Sequence, residues 1–190
     1  MEKEKRTSKR TTAIRIEPYL AEYISKKFKI DEKTGGVKIP YTTDLYFVVW
    51  NLMAKPGSHA NTCNGRTSKP GGRTDDSRDS SNLRIFLPTR RSFIDGCPGK
   101  DPAYFNYLSP TSAKQIEKTI RMMFDFEFHR LMMENEEAGR PKKNQEVVSD
   151  FMHRYQLESI TEDALLKNFY RYKQRLFPKK TRKYQKNRGV

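Results

Sequence analysis

Five side chains near the end of the chain have the types and spacing to bond the edges of nucleic acid bases. Three of them, Lys167, Arg171 and Gln174, recur at intervals of four and three residues. The other two, Asn168 and Arg175, flank that series. Arg, Asn and Gln can each form two hydrogen bonds with one base in the major groove. The set therefore predicts base contacts, although an ordinary solvated basic helix face has the same composition.

A run of positive charge follows these side chains. Pro178 ends the predicted helix, and residues 178–190 form a basic tail without an acid, whose cations are Lys179, Lys180, Arg182, Lys183, Lys186 and Arg188. Cations that neutralise nucleic acid phosphates release bound counterions, which favours binding to any sequence. We expect the first four of these residues to contact phosphates.

The helix that carries the five side chains is predicted to be the second of a pair. Apolar residues recur at helical spacing over 147–155, residues 156–160 interrupt the pattern, and a second apolar stripe runs over 165–176. Thr161 precedes that second stripe and can accept hydrogen bonds from its first N–H groups. A helix with one packed face and one face of base-contacting groups is typical of a helix-turn-helix motif.

The composition indicates a polyanionic partner. The net charge is +15 and the sequence pI is about 9.8, an excess that favours nucleic acid first and an anionic membrane surface second. The longest apolar run, 45–53, is far shorter than the ~20 residues of a membrane helix. Cys63 and Cys97 suggest no disulfide framework. We expect a cytoplasmic, nucleoid-associated protein.

The chain contains residue types that occur in active sites, but they are not spaced as a catalytic or metal-binding motif requires. The three histidines fall in separate segments without cysteine or carboxylate at ligand spacing, and they are His59, His129 and His153. Tyr170 and Tyr172 beside Arg171 leave open a tyrosine nucleophile, as in recombinases, but a tyrosine on an apolar stripe is more often packed. The sequence predicts no enzyme, no cofactor and no metal.

The first 108 residues predict a small sheet packed on helices. Strand-like runs occur at three places, namely 13–16, 37–39 and 83–87. Pro18 suits the start of one helix, and Thr43 or Asp44 suits the start of a second that is apolar nearly all round. Arg15 and Lys38 leave open an alternative in which a basic strand enters the major groove, as in ribbon-helix-helix proteins.

Four segments follow from these patterns, and the fold class is α+β, mostly helical. They are a flexible basic arm at 1–12, an α+β domain at 13–108, a long helix with the helix pair at 109–177, and the tail at 178–190. Residues 55–82, rich in Gly, Ser, Pro, Asn and Asp, predict a disordered insertion. Ser109 and Pro110 suit the start of the long helix, which we expect to be a core element rather than a dimer seam.

Three segments resemble small proteins carried by bacterial mobile elements and prophages. They are AIRIEPYLAEYISKKF near the N-terminus, YFNYLS in the centre, and the run 144–176 with VVSDFMHRY and ITEDALLKNFYRYKQRL. A long helix before a C-terminal helix pair is also similar in layout to the Mor family of phage middle-gene transcription activators. The turn at 156–160 lacks the glycine and small residues expected there. The resemblance implies DNA binding.

These observations predict a sequence-specific DNA-binding protein that acts as a homodimer on double-stranded DNA. Its role would be a transcription regulator or an accessory factor of a mobile element or prophage. Two alternatives stay open. One is an RNA-binding protein that stacks bases on aromatic residues, namely Tyr104, Phe105 and Tyr107. The other is a phage structural or assembly protein that contacts nucleic acid.

Overall fold

The structure is a computed structural model and describes residues 11–56, 81–88, 100, 102 and 104–178. Over these residues the fold is α+β and mostly helical, as predicted. Its elements are β1 (Thr11–Ile14), α1 (Pro18–Lys27), β2 (Lys29–Ile30), β3 (Val37–Lys38), α2 (Asp44–Leu52), β4 (Leu83–Phe86), α3 (Pro110–Glu137), α4 (Asn144–Tyr155) and α5 (Glu162–Leu176).

Several predicted features lie outside the described residues. They are residues 1–10 of the arm, residues 57–80 of the insertion, both cysteines, and the tail with Lys179, Lys180, Arg182 and Lys183. Within the described part of the chain, no helix combines the length and apolar character that a membrane span requires.

The strands form one mixed sheet in the order β1-β4-β3-β2. β1 pairs antiparallel with β4, β4 pairs parallel with β3, and β3 pairs antiparallel with β2. The three predicted strands are present, each within two residues of its expected bounds. β2 was not predicted because it has only two residues, both exposed, and is too short to show a periodic pattern.

Four of the five helices in the described residues, α1, α2, α3 and α5, begin where local signals place them. The side chains of Thr43, Ser109 and Thr161 each accept a hydrogen bond from the N–H three residues later, at the starts of α2, α3 and α5. Pro18 and Pro110 occupy first-turn positions, where a missing N–H costs no helical bond. Ser109 and Thr161 were predicted as caps and Thr43 was one of two candidates with Asp44, since each cap depends only on neighbouring residues.

α3 lies at the centre of the core and packs against the other four helices. Its apolar face is buried, as predicted for a core helix, through Ile116, Ile120, Phe124, Phe128 and Met132. The ring of Phe124 lies 5.2 Å from the rings of Tyr19 and Tyr23 in α1, and 5.4 Å from that of Phe151 in α4. The N-terminal and C-terminal halves therefore share one apolar core.

Candidate nucleic-acid interface

α5 packs through one face and exposes the opposite one. Leu165 and Phe169 are fully buried against the core. On the other side Lys167, Arg171 and Gln174 are exposed and form what we call the α5 row. No side chain of this row has a hydrogen bond or ion pair with another residue in the described part of the chain. The row is therefore open to an external partner.

The other two predicted site residues lie on the side of α5 that faces α3. Arg175 is exposed and lines a shallow groove together with Phe126 and Arg130 of α3. Asn168 is half-buried, its Oδ1 lies 2.6 Å from His129 Nε2, and its Nδ2 donates to Asp125 Oδ1 at 3.2 Å. Both ends of the Asn168 amide are thus occupied, so this side chain is better placed to orient α5 than to contact a base.

His129 completes the contact between α3 and α5. It is buried, and its ring stacks on Tyr172 with centroids 3.9 Å apart and planes 12° from parallel. The stacking of His129 on Tyr172 fixes the rotation of α5 about its own axis relative to α3. The orientation of the α5 row therefore depends on a side chain to which the sequence analysis assigned no role.

The turn between α4 and α5 uses a left-handed residue without glycine. Gln156 has φ +48°, and its N–H donates to His153 O at 3.2 Å. The next N–H, of Leu157, donates to Met152 O at 3.0 Å, and Leu157 itself is buried. This is the Schellman pattern of hydrogen bonds, in which glycine usually holds the left-handed position. Gln156 therefore adopts the left-handed conformation that glycine usually adopts, and the turn forms although the sequence has no glycine there.

A carboxylate of α1 holds the same turn from outside. Glu22 accepts hydrogen bonds from the backbone N–H groups of Glu158, at 2.9 Å, and Ser159, at 3.2 Å. The Ser159 hydroxyl also donates to Glu22. The approach to α5 is therefore fixed by α1, more than 130 residues away in sequence. A lone glutamate on a helix provides no sequence signal of such a role.

The connection between α3 and α4 is also firmly held. Gly139 and Arg140 have φ +81° and +59°, and the Arg140 N–H donates to Asn135 O at 2.8 Å. The side chain of Asn135 donates to Lys142 O at 2.9 Å and accepts from Lys142 N–H at 3.3 Å. Glu136 binds Arg140 at 3.1 Å and Lys173 of α5 at 2.5 Å. These bonds fix the connection against α5.

A half-buried carboxylate lies behind the interface. Glu127 accepts from the Tyr23 hydroxyl at 2.7 Å, from Lys27 Nζ and from the Tyr155 hydroxyl, and so joins α1, α3 and α4. Burial by itself raises the pKa of Glu127, but the three donors outweigh burial and lower it. Burial and the bond to Glu127 raise the pKa of Tyr155 to about 12. No pattern in the sequence indicates this cluster.

In the part of the chain that the structure describes, no group of three or more His, Cys, Asp or Glu side chains is arranged to hold a metal ion. Comparisons with family models, curated proteins and solved structures find no match to the chain. The resemblance to Mor-type activators and to mobile-element proteins stays a prediction.

Proposed function

We propose that this chain is a sequence-specific DNA-binding protein that inserts α5 into the major groove of double-stranded DNA. In this proposal α4 and α5 act as a helix-turn-helix motif, without a catalytic step, in a regulator or accessory factor of a mobile element or prophage. The observation that carries it is the α5 row, which stands exposed opposite the buried Leu165 and Phe169.

The size of the row suits a short stretch of duplex. From Lys167 to Gln174 the helix rises ~10 Å, which corresponds to about three base pairs along the groove. The major groove is about 12 Å wide and admits one α-helix. Arg171, in the middle of the row, is the side chain best suited to bind both guanine acceptors.

Random-site selection with the purified protein, followed by binding to the enriched duplex, tests this proposal. We expect Arg171→Ala to lower affinity for that duplex by ~1–3 kcal/mol and to relax the preference for one base pair. Arg15→Ala, which removes another exposed arginine just beyond β1, is the matched control. Unchanged selectivity in Arg171→Ala would refute the assignment, and lost selectivity in Arg15→Ala would favour the basic-strand alternative.

We propose further that the protein binds as a homodimer, with Arg175 and the tail contacting phosphates beside each α5. Two-fold symmetry of a dimer is mirrored in an inverted repeat, with half-sites about one helical turn or a multiple of it apart. An enriched motif with that symmetry supports the dimer. A single asymmetric motif bound by one chain contradicts the dimer and leaves DNA binding intact.

One observation favours single-stranded RNA as a second candidate. Tyr104 is 66% exposed, and the ammonium group of Lys55 lies 5.4 Å from the ring centre of the neighbouring Phe105. Exposed aromatic rings beside positive charge can stack bases without sequence preference. Competition between duplex DNA and single-stranded RNA at one salt concentration distinguishes the two, because an RNA-binding protein would release the duplex.

A further inference from the structure

A second basic surface borders the α5 row. The connection between α3 and α4 and the flank of α5 form a groove of about 420 Å³, lined by Arg140, Lys142, Lys143, Asn144, Gln145, Leu166 and Tyr170. We call it the basic groove. It is open to solvent along its length, unlike the clefts that enclose most of a small ligand. Its shape suits a polymer chain that passes across it.

Its position relates it to the proposed DNA-binding helix. Tyr170, which lines the basic groove, lies one turn from Lys167 and one turn from Gln174 along α5. The groove therefore runs beside the α5 row. A helix seated in the major groove has a sugar–phosphate backbone along each flank, so one strand would cross the basic groove.

The cations of the groove differ in how firmly they are held. Arg140, itself 61% exposed, pairs with Glu136, whose side chain is only 11% exposed and also binds Lys173. Lys142 pairs with Asp150 at 2.5 Å, but both side chains are 57% exposed. Lys143 is exposed and has no ion pair with another described residue. Exposed ion pairs contribute little, so a phosphate can replace Asp150 as the partner of Lys142.

The backbone that carries the two lysines is already fixed. Asn135 bonds both backbone groups of Lys142, and Glu136 anchors the connection to α5. Binding at a fixed surface loses less conformational entropy than binding at a loop that must first be ordered. Arg140 and Glu136 thus support the connection, and Lys142 and Lys143 are the cations available to a phosphate.

We infer that Lys142 and Lys143 bind phosphates of the DNA strand that flanks α5, and that Asp150 opposes this contact by holding Lys142. The inference rests on the proposed DNA-binding function and adds a contact that does not depend on base sequence. Such contacts fix the register of a helix in the groove and leave its base preference to other side chains.

Affinity measurements on the selected duplex and on a scrambled one, at several salt concentrations, test the inference. We expect Lys143→Gln to lower both affinities by roughly three- to tenfold and to flatten the slope of log affinity against log salt by about 0.9. Asp150→Asn should raise both affinities, because it releases Lys142 from its acidic partner. In each variant the ratio between the two duplexes should stay unchanged.

Lys114→Gln is the matched control, since it removes an exposed lysine near the start of α3, ~35 Å along the helix from the end that leads into the groove. Wild-type affinities in Lys143→Gln, with selectivity still lost in Arg171→Ala, overturn the inference and leave the proposed function standing. Lower affinity in Asp150→Asn overturns the opposing role of Asp150. A wild-type chain that binds no duplex overturns both the inference and the proposed function.

Discussion

The carboxylate of Glu127 is largely removed from water and accepts hydrogen bonds from three protein groups instead. A buried carboxylate costs free energy unless it is paired and hydrogen-bonded. Here Tyr23 and Lys27 of α1 and Tyr155 of α4 supply those bonds to a residue of α3. One side chain therefore connects three helices, and the α4–α5 pair is positioned partly through it.

Glu127→Gln keeps the shape of the side chain and removes its charge. We expect the free energy of unfolding to fall by about 1–3 kcal/mol at neutral pH, because hydrogen bonds to a charged group are stronger than those to an amide. Urea unfolding measures this difference. Glu32→Gln, at an exposed loop position, is the control and should leave stability unchanged.

The difference in the free energy of unfolding between wild type and Glu127→Gln should depend on pH in one direction. The pKa of Glu127 is lowered in the folded protein, so folding favours the ionised form. The stabilisation is complete above its ordinary pKa of 4.5 and is lost as pH falls through the lower folded value. The gap between wild type and Glu127→Gln should therefore stay constant from about pH 7 to about pH 5 and narrow below that. A gap that stayed constant at the lower pH as well would contradict the role of the charge.

The residues of the candidate site were only partly predictable. The α5 row follows from helical periodicity, because Leu165 and Phe169 define the buried face and the row lies opposite. Asn168 lies at the edge of that row, and its partners, His129 and Asp125, are 39 and 43 residues away in sequence. No local pattern indicates which edge residue a distant helix will engage.

At the scale of elements, the turn before α5 contains a strained backbone conformation, and its effect on stability can be measured. Gln156 holds a left-handed conformation that costs a residue with a Cβ roughly 1–2 kcal/mol, whereas the cost for glycine is mainly chain entropy. We expect Gln156→Gly to raise the free energy of unfolding by about 0.5–1 kcal/mol. Thermal or urea unfolding measures the change.

Gly139→Ala supplies the reverse comparison at the end of α3. A Cβ at Gly139 would meet no atom within 4 Å, so any loss of stability comes from its φ of +81° alone. We expect a loss of about 1 kcal/mol. A destabilised Gln156→Gly alongside a destabilised Gly139→Ala would mean that the Gln156 side chain contributes more than its backbone conformation costs.

Helix starts were predictable, and sheet topology was not. The caps at Thr43, Ser109 and Thr161 depend on hydrogen bonds that span three residues. The order β1-β4-β3-β2 depends on pairings between strands that lie far apart in sequence, as in Thr11 with Phe86, and it includes one parallel pair. Strand periodicity shows which residues face the core, but it carries no information about which strand is the neighbour.

At the scale of the whole molecule, the shared core joins the proposed DNA-binding helix to the rest of the described fold. α3 contacts α1 and α2 as well as α4 and α5, and Glu22 of α1 holds the turn before α5. A force that DNA would apply to α5 in the proposed complex would therefore be resisted by the whole core rather than by a helix pair alone. A site that is fixed in advance has a lower ordering cost on binding.

The net charge of +15 leads to a prediction about the tail that follows α5. Deleting residues 179–190 removes six cations and no acid. Since binding to phosphates does not depend on base sequence, we expect affinity for selected and scrambled duplexes to fall alike. The salt slope should become flatter by about 0.9 for each phosphate that the tail no longer neutralises.

A chain with Gln at the same six positions keeps the length of the tail, so it separates the effect of charge from that of length. Anisotropy titrations over a salt series measure both the affinities and the slope. An unchanged slope would contradict phosphate binding by the tail, because neutralised phosphates release counterions in proportion to their number. A changed ratio between the two duplexes would instead indicate that the tail contacts bases.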